Sequence, residues 1–345
     1  MVRKNASTTP DASIDDPSVF LWNDPLDKNV LSQNTANYEL LLSSFSSSDF
    51  VSFTGAGVSK ALGIDDWDNL IDKLLDVANK EGFTEDKPAE KNNYPEYIER
   101  LFRHLESKSC KNLYFDTIKA RMAPRINSTS LTLIYLSLCV HIHLTTNFDR
   151  SIEHAYSYVD FLNDYFKVRR KHPQPEKCYI GNLNAHSSGP AIIYLHGSET
   201  EDVYILKKSD YDLFYPSISG RTTTDIDKEV EDCLKHYYRS KTIIFIGFSF
   251  EDPYVRDYFF YLAKEMEREE ESKREFFSQA GKNISSKKMK HFLLIDKDNT
   301  FVSHYKNETF SELQKYNLYP IIYTGEHIFL ERLFKRFINK TRGML

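Results

Sequence analysis

The sequence lacks several features that would define its class at once. Its 345 residues include only 4 cysteines, and no two of them form a C-x-x-C pair, so neither a zinc module nor a disulfide scaffold is expected. No apolar run approaches the roughly 18 residues that a membrane span needs. Residues 1–35 contain no apolar segment typical of a secretory signal. These absences predict a cytoplasmic protein with no membrane contact and no bound metal.

An excess of basic charge is also missing. The chain has 45 Lys and Arg against 50 Asp and Glu, which gives a net charge of −5 at pH 7 and a pI near 6.1. No overall positive field is present to hold a nucleic-acid backbone, so direct nucleic-acid binding is not expected. Hydrophobic residues make up 41% and charged residues 28% of the chain, proportions that exclude a wholly disordered protein.

The length suits about two domains, or one large domain with an insertion. Residues 1–35 are rich in Ser, Thr, Asn and Asp, and they are predicted to form a flexible N-terminal arm. Residues 36–345 are predicted to form one domain. Between about residues 67 and 138 the pattern is helical and contains no convincing strand, which predicts a helical subdomain inserted after the first strand.

Six short apolar runs are predicted to be buried strands. They cover residues 50–54, 141–145, 191–195, 242–246, 291–295 and 318–323. Several are followed by amphipathic stretches of helical period, and this alternation predicts a mostly parallel sheet with helical crossovers. The predicted fold is therefore α/β and Rossmann-like, with helices on both faces of the sheet.

Small and polar residues follow these predicted strands. In an open parallel sheet, ligands bind beyond the carboxyl ends of the strands, so the residues at those ends are the candidates for a site. They are residues 55–59, 146–149, 196–197, 247–249 and Asp296. Because the strands are predicted to run parallel, these segments are expected to converge on one edge of the sheet.

The first of these segments contains Gly55 and Gly57. Such glycines allow a tight turn and let backbone N–H groups approach a phosphate, and the N-terminus of a following helix adds positive potential. The pattern is weak, since the third glycine of the usual dinucleotide fingerprint would fall at Lys60. A structural turn and a phosphate cradle both remain open.

Three polar residues at the same edge also have two interpretations each. His196 is either a structural histidine or a general base near neutral pH. Asn147 either caps a following helix or orients a hydroxyl group or a water molecule. Ser249 either caps the helix region at Pro253 or holds a phosphate or ribose, whereas Asp252 with Pro253 is most simply a helix start.

Four ordered motifs resemble those of the sirtuins, and more closely those of bacterial sirtuin-like NAD-hydrolysing domains of antiphage defence systems. Residues 55–67 align without a gap with the sirtuin pattern G-A-G-I-S followed by G-I-P-D-F. Residues 145–149 resemble T-Q-N-I-D, residues 196–197 match H-G, and residues 247–250 are similar to G-T-S. The motifs cover about residues 50 to 296.

The resemblance implies a role for each position. The residues that it implies for NAD binding are Gly55, Ala56, Gly57, Ser59, Asp66, Trp67, Thr146, Asp149, Gly247, Ser249 and Asp296. His196 would be the catalytic base and Asn147 its catalytic partner. Residues 55–59 would hold the diphosphate, and residues 66–67 would lie on the loop that closes over the cofactor. Asp296 would contact the adenosine ribose.

Departures from the sirtuin pattern argue against lysine deacylation. The deacylases carry a four-cysteine zinc module after the histidine, whereas only Cys233 lies beyond His196 in this chain. Asp68 stands where they carry an arginine, and their F-G-E segment is replaced by residues 198–211. Water is therefore the expected acceptor. The resemblance implies an NAD glycohydrolase that releases nicotinamide and ADP-ribose and uses NAD as its substrate.

The resemblance also implies a biological setting. Such an enzyme would deplete NAD as the effector of a bacterial antiphage defence system acting by abortive infection. Because the sirtuin-like region runs close to the C-terminus, no fused sensor domain is expected. Control would come from homo-oligomerisation or from a separate activating protein, such as an ATPase or a nucleic-acid sensor. The alternatives are a silent NAD- or nucleotide-binding sensor or scaffold, and a sirtuin-type deacylase or ADP-ribosyltransferase.

Overall fold

A seven-stranded parallel sheet forms the centre of the structure. The computed structural model describes residues 16–22, 28–46, 49–60, 62–122, 130–165, 173–183, 189–201, 203–220, 228–248, 250, 252–279, 289–298, 313–325 and 327–342. Its strands are β1 (Phe50–Thr54), β2 (Ile142–Thr145), β3 (Glu176–Cys178), β4 (Ala191–Tyr194), β5 (Thr242–Ile246), β6 (His291–Asp296) and β7 (Leu318–Tyr323). Their order is β3-β4-β2-β1-β5-β6-β7, and every neighbouring pair is parallel.

Helices connect the strands. They are α1 (Lys28–Ser44), α2 (Ala56–Lys60), α3 (Trp67–Lys80), α4 (Tyr94–Ser107), α5 (Lys111–Met122), α6 (Leu131–Cys139), α7 (Ser151–Tyr165), α8 (Lys208–Phe214), α9 (Pro216–Ser219), α10 (Glu229–Ser240), α11 (Pro253–Gln279) and α12 (His327–Thr341). Two 3₁₀ helices cover Pro17–Phe20 and Lys91–Asn93. Across the described ranges, none of these helices combines the length and apolarity that crossing a membrane requires.

Both faces of the sheet are buried. Side chains of a strand alternate between its two faces, and in β5 Ile244 and Ile246 belong to one apolar core while Ile243 and Phe245 belong to the other. The first core packs against α3, α4, α6, α7 and α12, and the second against α8, α10 and α11. The predicted α/β fold with a mostly parallel sheet is therefore confirmed.

The predicted strands agree closely with the observed ones. The bounds of β1, β5 and β7 are those predicted, and the bounds of β2, β4 and β6 differ by one residue at one end. The sequence analysis missed β3, because its three residues, Glu-Lys-Cys, contain no apolar run. In this strand only Cys178 is buried, so the usual pattern of a buried parallel strand is absent.

The region between β1 and β2 is helical. In the described part of residues 67–138 there are four α-helices and one 3₁₀ helix but no strand. Helix α3 buries Leu70, Ile71 and Leu74 on one face, as helical periodicity requires. Asp66 begins this helix, because its carboxylate accepts a hydrogen bond from the N–H of Asn69 at 3.0 Å. The buried faces of these helices join the same apolar core as the sheet.

Part of the segment predicted as an N-terminal arm packs on the sheet. Helix α1 begins at Lys28, within the predicted arm, and Leu21 forms an isolated antiparallel bridge with Tyr323 of β7. The amide of Asn34 donates to the carbonyl oxygen of Ile322 at 2.8 Å and accepts from its N–H at 2.8 Å. These contacts satisfy the backbone of an edge strand, whose outward polar groups otherwise need solvent or another chain.

The order of the strands determines where a ligand can bind. The chain leaves β1 toward β2 on one side of the sheet and later enters β5 on the other side of β1. The segments that follow β1 and β5 therefore lie next to each other at the switch point of the topology. Crevices at such points are the usual ligand sites of open α/β sheets.

The contacts of Asn34 generate a prediction about stability. Asn34→Ala leaves the N–H of Ile322 without its buried partner, while Trp22 still donates to the carbonyl oxygen of Ile322, so we expect the free energy of unfolding to fall by about 1 to 2 kcal/mol. Chemical denaturation monitored by circular dichroism measures this change. Thr35→Ala, at an exposed position of the same helix, is the matched control and should change stability by less than about 0.5 kcal/mol. Equal effects of the two substitutions would contradict the assignment.

Candidate functional site

A cavity of about 620 Å³ lies beyond the carboxyl ends of the central strands. This volume is within the ordinary range of small-molecule sites. The predicted site residues that line it are Ala56, Gly57, Ser59, Asp66, Trp67, Thr146, Asn147, Asp149, His196, Gly247 and Asp296. Gly55 lies in the turn next to them, and Ser249 lies outside the described residues. The cavity thus brings together segments that follow β1, β2, β4, β5 and β6.

Three glycines allow two loops to touch through their backbones. The N–H of Gly57 donates to the carbonyl oxygen of Gly247 at 2.9 Å, and the N–H of Gly55 donates to that of Ile246 at 3.0 Å. A Cβ atom on Gly55 would lie 2.6 Å from the oxygen of Gly247, and one on Gly247, where φ is +60°, would lie 2.5 Å from the nitrogen of Val58. The turn therefore has a structural cause, and any phosphate contact here needs donors other than these two N–H groups.

Asn147 connects the segment after β2 to the turn after β1. Its Nδ2 donates to the carbonyl oxygen of Gly55 and to the hydroxyl of Ser59, each at 3.0 Å. Its backbone N–H donates to the hydroxyl of Thr145 at 3.1 Å. Both amide hydrogens are thus used within the protein, and Oδ1 is the atom of this side chain suited to accept a hydrogen bond from a ligand or a water.

Asp149, rather than Asn147, binds the start of the next helix. Its Oδ1 accepts hydrogen bonds from the N–H of Ser151, at 2.8 Å, and from the hydroxyl of the same residue. Burial raises the pKa of Asp149, and hydrogen bonds from Ser151 and Ser59 oppose that rise. Ser59 therefore forms hydrogen bonds with both Asn147 and Asp149. These hydrogen bonds fix the segment after β2 relative to the turn after β1.

His196 is almost fully buried, with 2% of its surface exposed. Its Nε2 lies 2.9 Å from the hydroxyl of Tyr215, and its ring meets those of Tyr211 and Tyr215 edge-on. Burial lowers the pKa of His196 to about 3, so the imidazole is neutral near pH 7. The aromatic surroundings disfavour the charged ring, and the role of His196 as a general base stays a prediction.

Gly197, the residue after His196, has a backbone conformation that favours glycine. Gly197 has φ of +86°, and a Cβ atom there would lie 2.0 Å from the carbonyl oxygen of Val203. The chain reverses at this point, since the carbonyl oxygen of His196 accepts a hydrogen bond from the N–H of Ile205 at 2.9 Å. Only glycine fits such a position, so the H-G pair has a steric cause.

Asp252 also lines the cavity, and the sequence predicted only its structural role. It begins α11, because its Oδ1 accepts hydrogen bonds from the N–H groups of Tyr254 and Val255. Its Oδ2 accepts from the hydroxyl of Tyr211 at 2.7 Å, and the Tyr211 ring contacts His196. Burial raises the pKa of Asp252 to about 6, although these hydrogen bonds lower it. Asp252 therefore both begins α11 and forms part of the cavity wall.

The cavity lining contains more acidic than basic side chains. Its acidic residues are Asp65, Asp66, Asp68, Asp149, Asp252, Asp296 and Asp298, and its lysines are Lys60 and Lys91. Apolar and aromatic side chains of β6, β7 and α12 complete the wall, and they include Leu294, Tyr323 and Leu330. Within the described residues, no three His, Cys, Asp or Glu side chains are grouped as a metal ion would require.

Comparison with known proteins identifies the family. Residues 141–321 match the SIR2-like domain, which is slightly more than half of the chain, so this protein belongs to the SIR2-like family. The matched range contains Asn147, His196 and Gly247 and begins after the Gly55 turn. The predicted resemblance to sirtuin-like proteins is therefore confirmed.

A curated relative points in the same direction. The NAD(+) hydrolase ThsA of Enterococcus faecium is 23% identical to this chain over 203 residues. The aligned part is 58% of this chain and 37% of the relative, so the match spans little more than a third of the length of that protein. This relationship supports an NAD-related function for the SIR2-like region.

The carboxylate of Asp252 generates a prediction about pH. Its folded-state pKa of about 6 lies above the value of about 4 in an unfolded chain. Its contribution to stability is therefore complete below about pH 4 and is lost as the pH rises through about 6. We expect the parent protein to lose about 1 to 2 kcal/mol of unfolding free energy in this range that Asp252→Asn does not lose, a partial value because the residue is partly exposed.

Denaturation at several pH values measures this difference. Asp252→Asn keeps an oxygen that can accept from the N–H groups of α11, so the fold should be retained. The exposed Asp232→Asn is the control and should follow the parent protein at each pH. A parent protein and an Asp252→Asn variant with the same pH dependence would refute the proposed titration of Asp252.

Proposed function

We propose that this protein is an NAD glycohydrolase, which cleaves the bond between nicotinamide and ribose and releases ADP-ribose. The observation that carries the proposal is that His196 and Asn147, from two different strand ends, line one cavity together with the turn after β1. The SIR2-like family and the relative named as an NAD(+) hydrolase support NAD as the substrate.

The charge of the cavity suits one orientation of NAD. Asp149 and Asp252 line the same cavity as His196, and Asp252 is connected to the His196 ring through Tyr211. Carboxylates there would attract the cationic nicotinamide ring and stabilise an oxocarbenium-like transition state, since charges interact strongly where water is excluded. In this orientation the adenosine ribose would lie near Asp296, at the end of β6, and its hydroxyl groups would donate to that carboxylate.

The proposed reaction needs a proton acceptor and a group that orients water. The glycosidic bond breaks with both electrons leaving on nicotinamide, and the water oxygen bonds to the ribose carbon. The proton of that water goes to His196 and then to solvent. Because Nε2 of His196 is hydrogen-bonded to the hydroxyl of Tyr215, the Nδ1 atom would accept this proton. The Oδ1 atom of Asn147 would accept a hydrogen bond from the water or from a ribose hydroxyl.

A silent NAD-binding module is the second candidate, and one observation favours it. Burial lowers the pKa of His196, which makes it a weak base, and its hydrogen bond with Tyr215 gives it a structural role. A protein that only binds NAD would retain the same cavity and the same contacts. Binding and turnover must therefore be measured separately.

The test is chromatography of NAD, nicotinamide and ADP-ribose after incubation with purified protein. We expect nicotinamide release by the parent protein and a decrease of about 100-fold or more in His196→Ala and Asn147→Ala, as is typical for loss of a general base or its partner. His236→Ala, at an exposed position of α10, is the control and should retain parental activity. Thermal melting establishes that each variant is folded.

The outcomes separate the two candidates. Release of nicotinamide that depends on His196 and Asn147 supports the hydrolase. Full turnover by both folded variants would contradict the assigned roles, even if the protein hydrolyses NAD. NAD binding without consumption, measured by calorimetry, would instead favour the silent module.

We propose further, from the resemblance, that the enzyme depletes NAD in antiphage defence and is controlled by self-association or by a separate activating protein. A hydrolase of a shared cofactor would harm its host unless it were held inactive. If assembly is the switch, specific activity should rise steeply with protein concentration, in step with the mass measured by light scattering. A monomer with full activity at every concentration would rule out control by self-association.

A further inference from the structure

Lysines are rare in the cavity wall, and the two that line it differ in burial. Lys60 lies at the end of α2, with 68% of its side chain exposed, and forms an ion pair of 3.2 Å with Asp66. Lys91 has 34% of its side chain exposed and forms an ion pair of 3.0 Å with Asp68. Solvent screens an exposed ammonium group much more than a partly buried one, so Lys91 has the stronger effect on an anion in the cavity.

Asp68 is held ionised by its neighbours. The hydroxyl of Tyr94 donates to Oδ1 of Asp68, and the ammonium group of Lys87 lies 3.6 Å from the same oxygen. Burial alone would raise the pKa of Asp68, but the hydrogen bonds from Tyr94 and Lys91 and the charges of both lysines lower it. The charged carboxylate thereby fixes the position of the Lys91 ammonium group at the cavity wall.

The wall that contains Lys91 adjoins the turn after β1. Asp66 and Asp68 lie at the start of α3, and the ion pair between Lys60 and Asp66 joins that start to α2. Lys91 therefore faces the cavity close to residues 56–60, which also line it. The carboxylates of Asp149 and Asp252, by contrast, belong to the segments that follow β2 and β5.

We propose that Lys91 binds the diphosphate of the dinucleotide and that Asp68 is its positioning residue. The inference rests on the proposed function, because the ligand is taken to be NAD. An ammonium group has three donors, so a hydrogen bond to Asp68 is compatible with others to phosphate oxygens. The diphosphate is the anionic part of NAD, and lysine is a frequent phosphate ligand. Among the described lining residues, Lys91 is the less exposed of the two lysines.

Binding of ADP-ribose tests the inference without requiring turnover. Lys91→Gln should weaken ADP-ribose binding in calorimetry by about tenfold or more, since a hydrogen bond to a charged group is lost. Lys91→Arg should restore most of the affinity. Lys73→Gln is the matched control, because Lys73 is a lysine of α3 that pairs with Asp76 and is not one of the described residues that line the cavity. It should bind ADP-ribose within about twofold of the parent protein.

A double-mutant cycle tests the positioning role of Asp68. Asp68→Asn should weaken ADP-ribose binding when Lys91 is present and have little effect in the Lys91→Gln background, because the two residues act through one ammonium group. In NAD turnover, Lys91→Gln should raise KM with little change in kcat, as expected for a contact that is the same in the ground state and the transition state.

The outcomes distinguish failure of this inference from failure of the proposed function. Nicotinamide release by the parent protein, with ADP-ribose affinity unchanged in folded Lys91→Gln, would overturn the role of Lys91 and leave the hydrolase intact. Lys91-dependent ADP-ribose binding without nicotinamide release at any protein concentration would support the role of Lys91 and count against the hydrolase. No binding of ADP-ribose by the parent protein would overturn the role of Lys91, and nicotinamide release would then decide on the hydrolase separately. Equal losses in Lys91→Gln and Lys73→Gln would also overturn the role of Lys91, because they would indicate a general electrostatic effect.

Discussion

The backbone contact between the turn after β1 and the loop after β5 is the constraint on which the site depends. Gly57 and Gly247 are joined by a hydrogen bond of 2.9 Å, and side chains at Gly55, Gly57 or Gly247 would meet backbone atoms at 2.9 Å or less. This contact lies at the switch point of the sheet, where the two segments would otherwise diverge. Because the loops touch directly, polar groups that follow different strands can face one cavity. The glycines thus build the site through close approach.

The polar contacts of the cavity wall explain why its geometry is fixed before a ligand binds. Asn147 uses both amide hydrogens on the turn after β1, and Asp149 joins the same turn through Ser59. A side chain held in this way loses little entropy when it meets a ligand. The burial that fixes His196 also lowers its proton affinity. The tyrosine rings that orient the imidazole therefore also make it a weaker base. The orientation suits the hydrolase, whereas the weak basicity suits the silent module.

Features encoded by local pattern could be predicted from the sequence, and features that need a distant partner could not. Strand β5 is a continuous apolar run buried on both faces, so its bounds were predictable, whereas β3 is recognisable only from its pairing with β4. The role of Asn34 could not be predicted, because it depends on hydrogen bonds with Ile322, which is far away in the sequence. The strand-end rule collected the cavity residues that directly follow β1, β2, β4 and β5, but Asp252 was understood only as a helix start. Lys91 lies in a 3₁₀ helix that is far in sequence from every strand end, so no sequence pattern predicted that it lines the cavity.

The distribution of charge in the cavity argues for one direction of binding under the proposed function. NAD carries a cationic ring at one end and a diphosphate at its centre. With nicotinamide near His196, the ring would lie in the region that Asp252 borders through Tyr211, and the diphosphate would lie toward Lys91, which pairs with Asp68 at the start of α3. In the reverse orientation, the uncharged adenine would lie near His196. No cation would then stabilise the ionised form of the partly buried Asp252. Because burial already raises the pKa of Asp252, a nearby cationic ring would favour its ionised form. Substrate binding and proton release from Asp252 are therefore expected to be coupled, and the coupling requires only that the nicotinamide end lies beside His196.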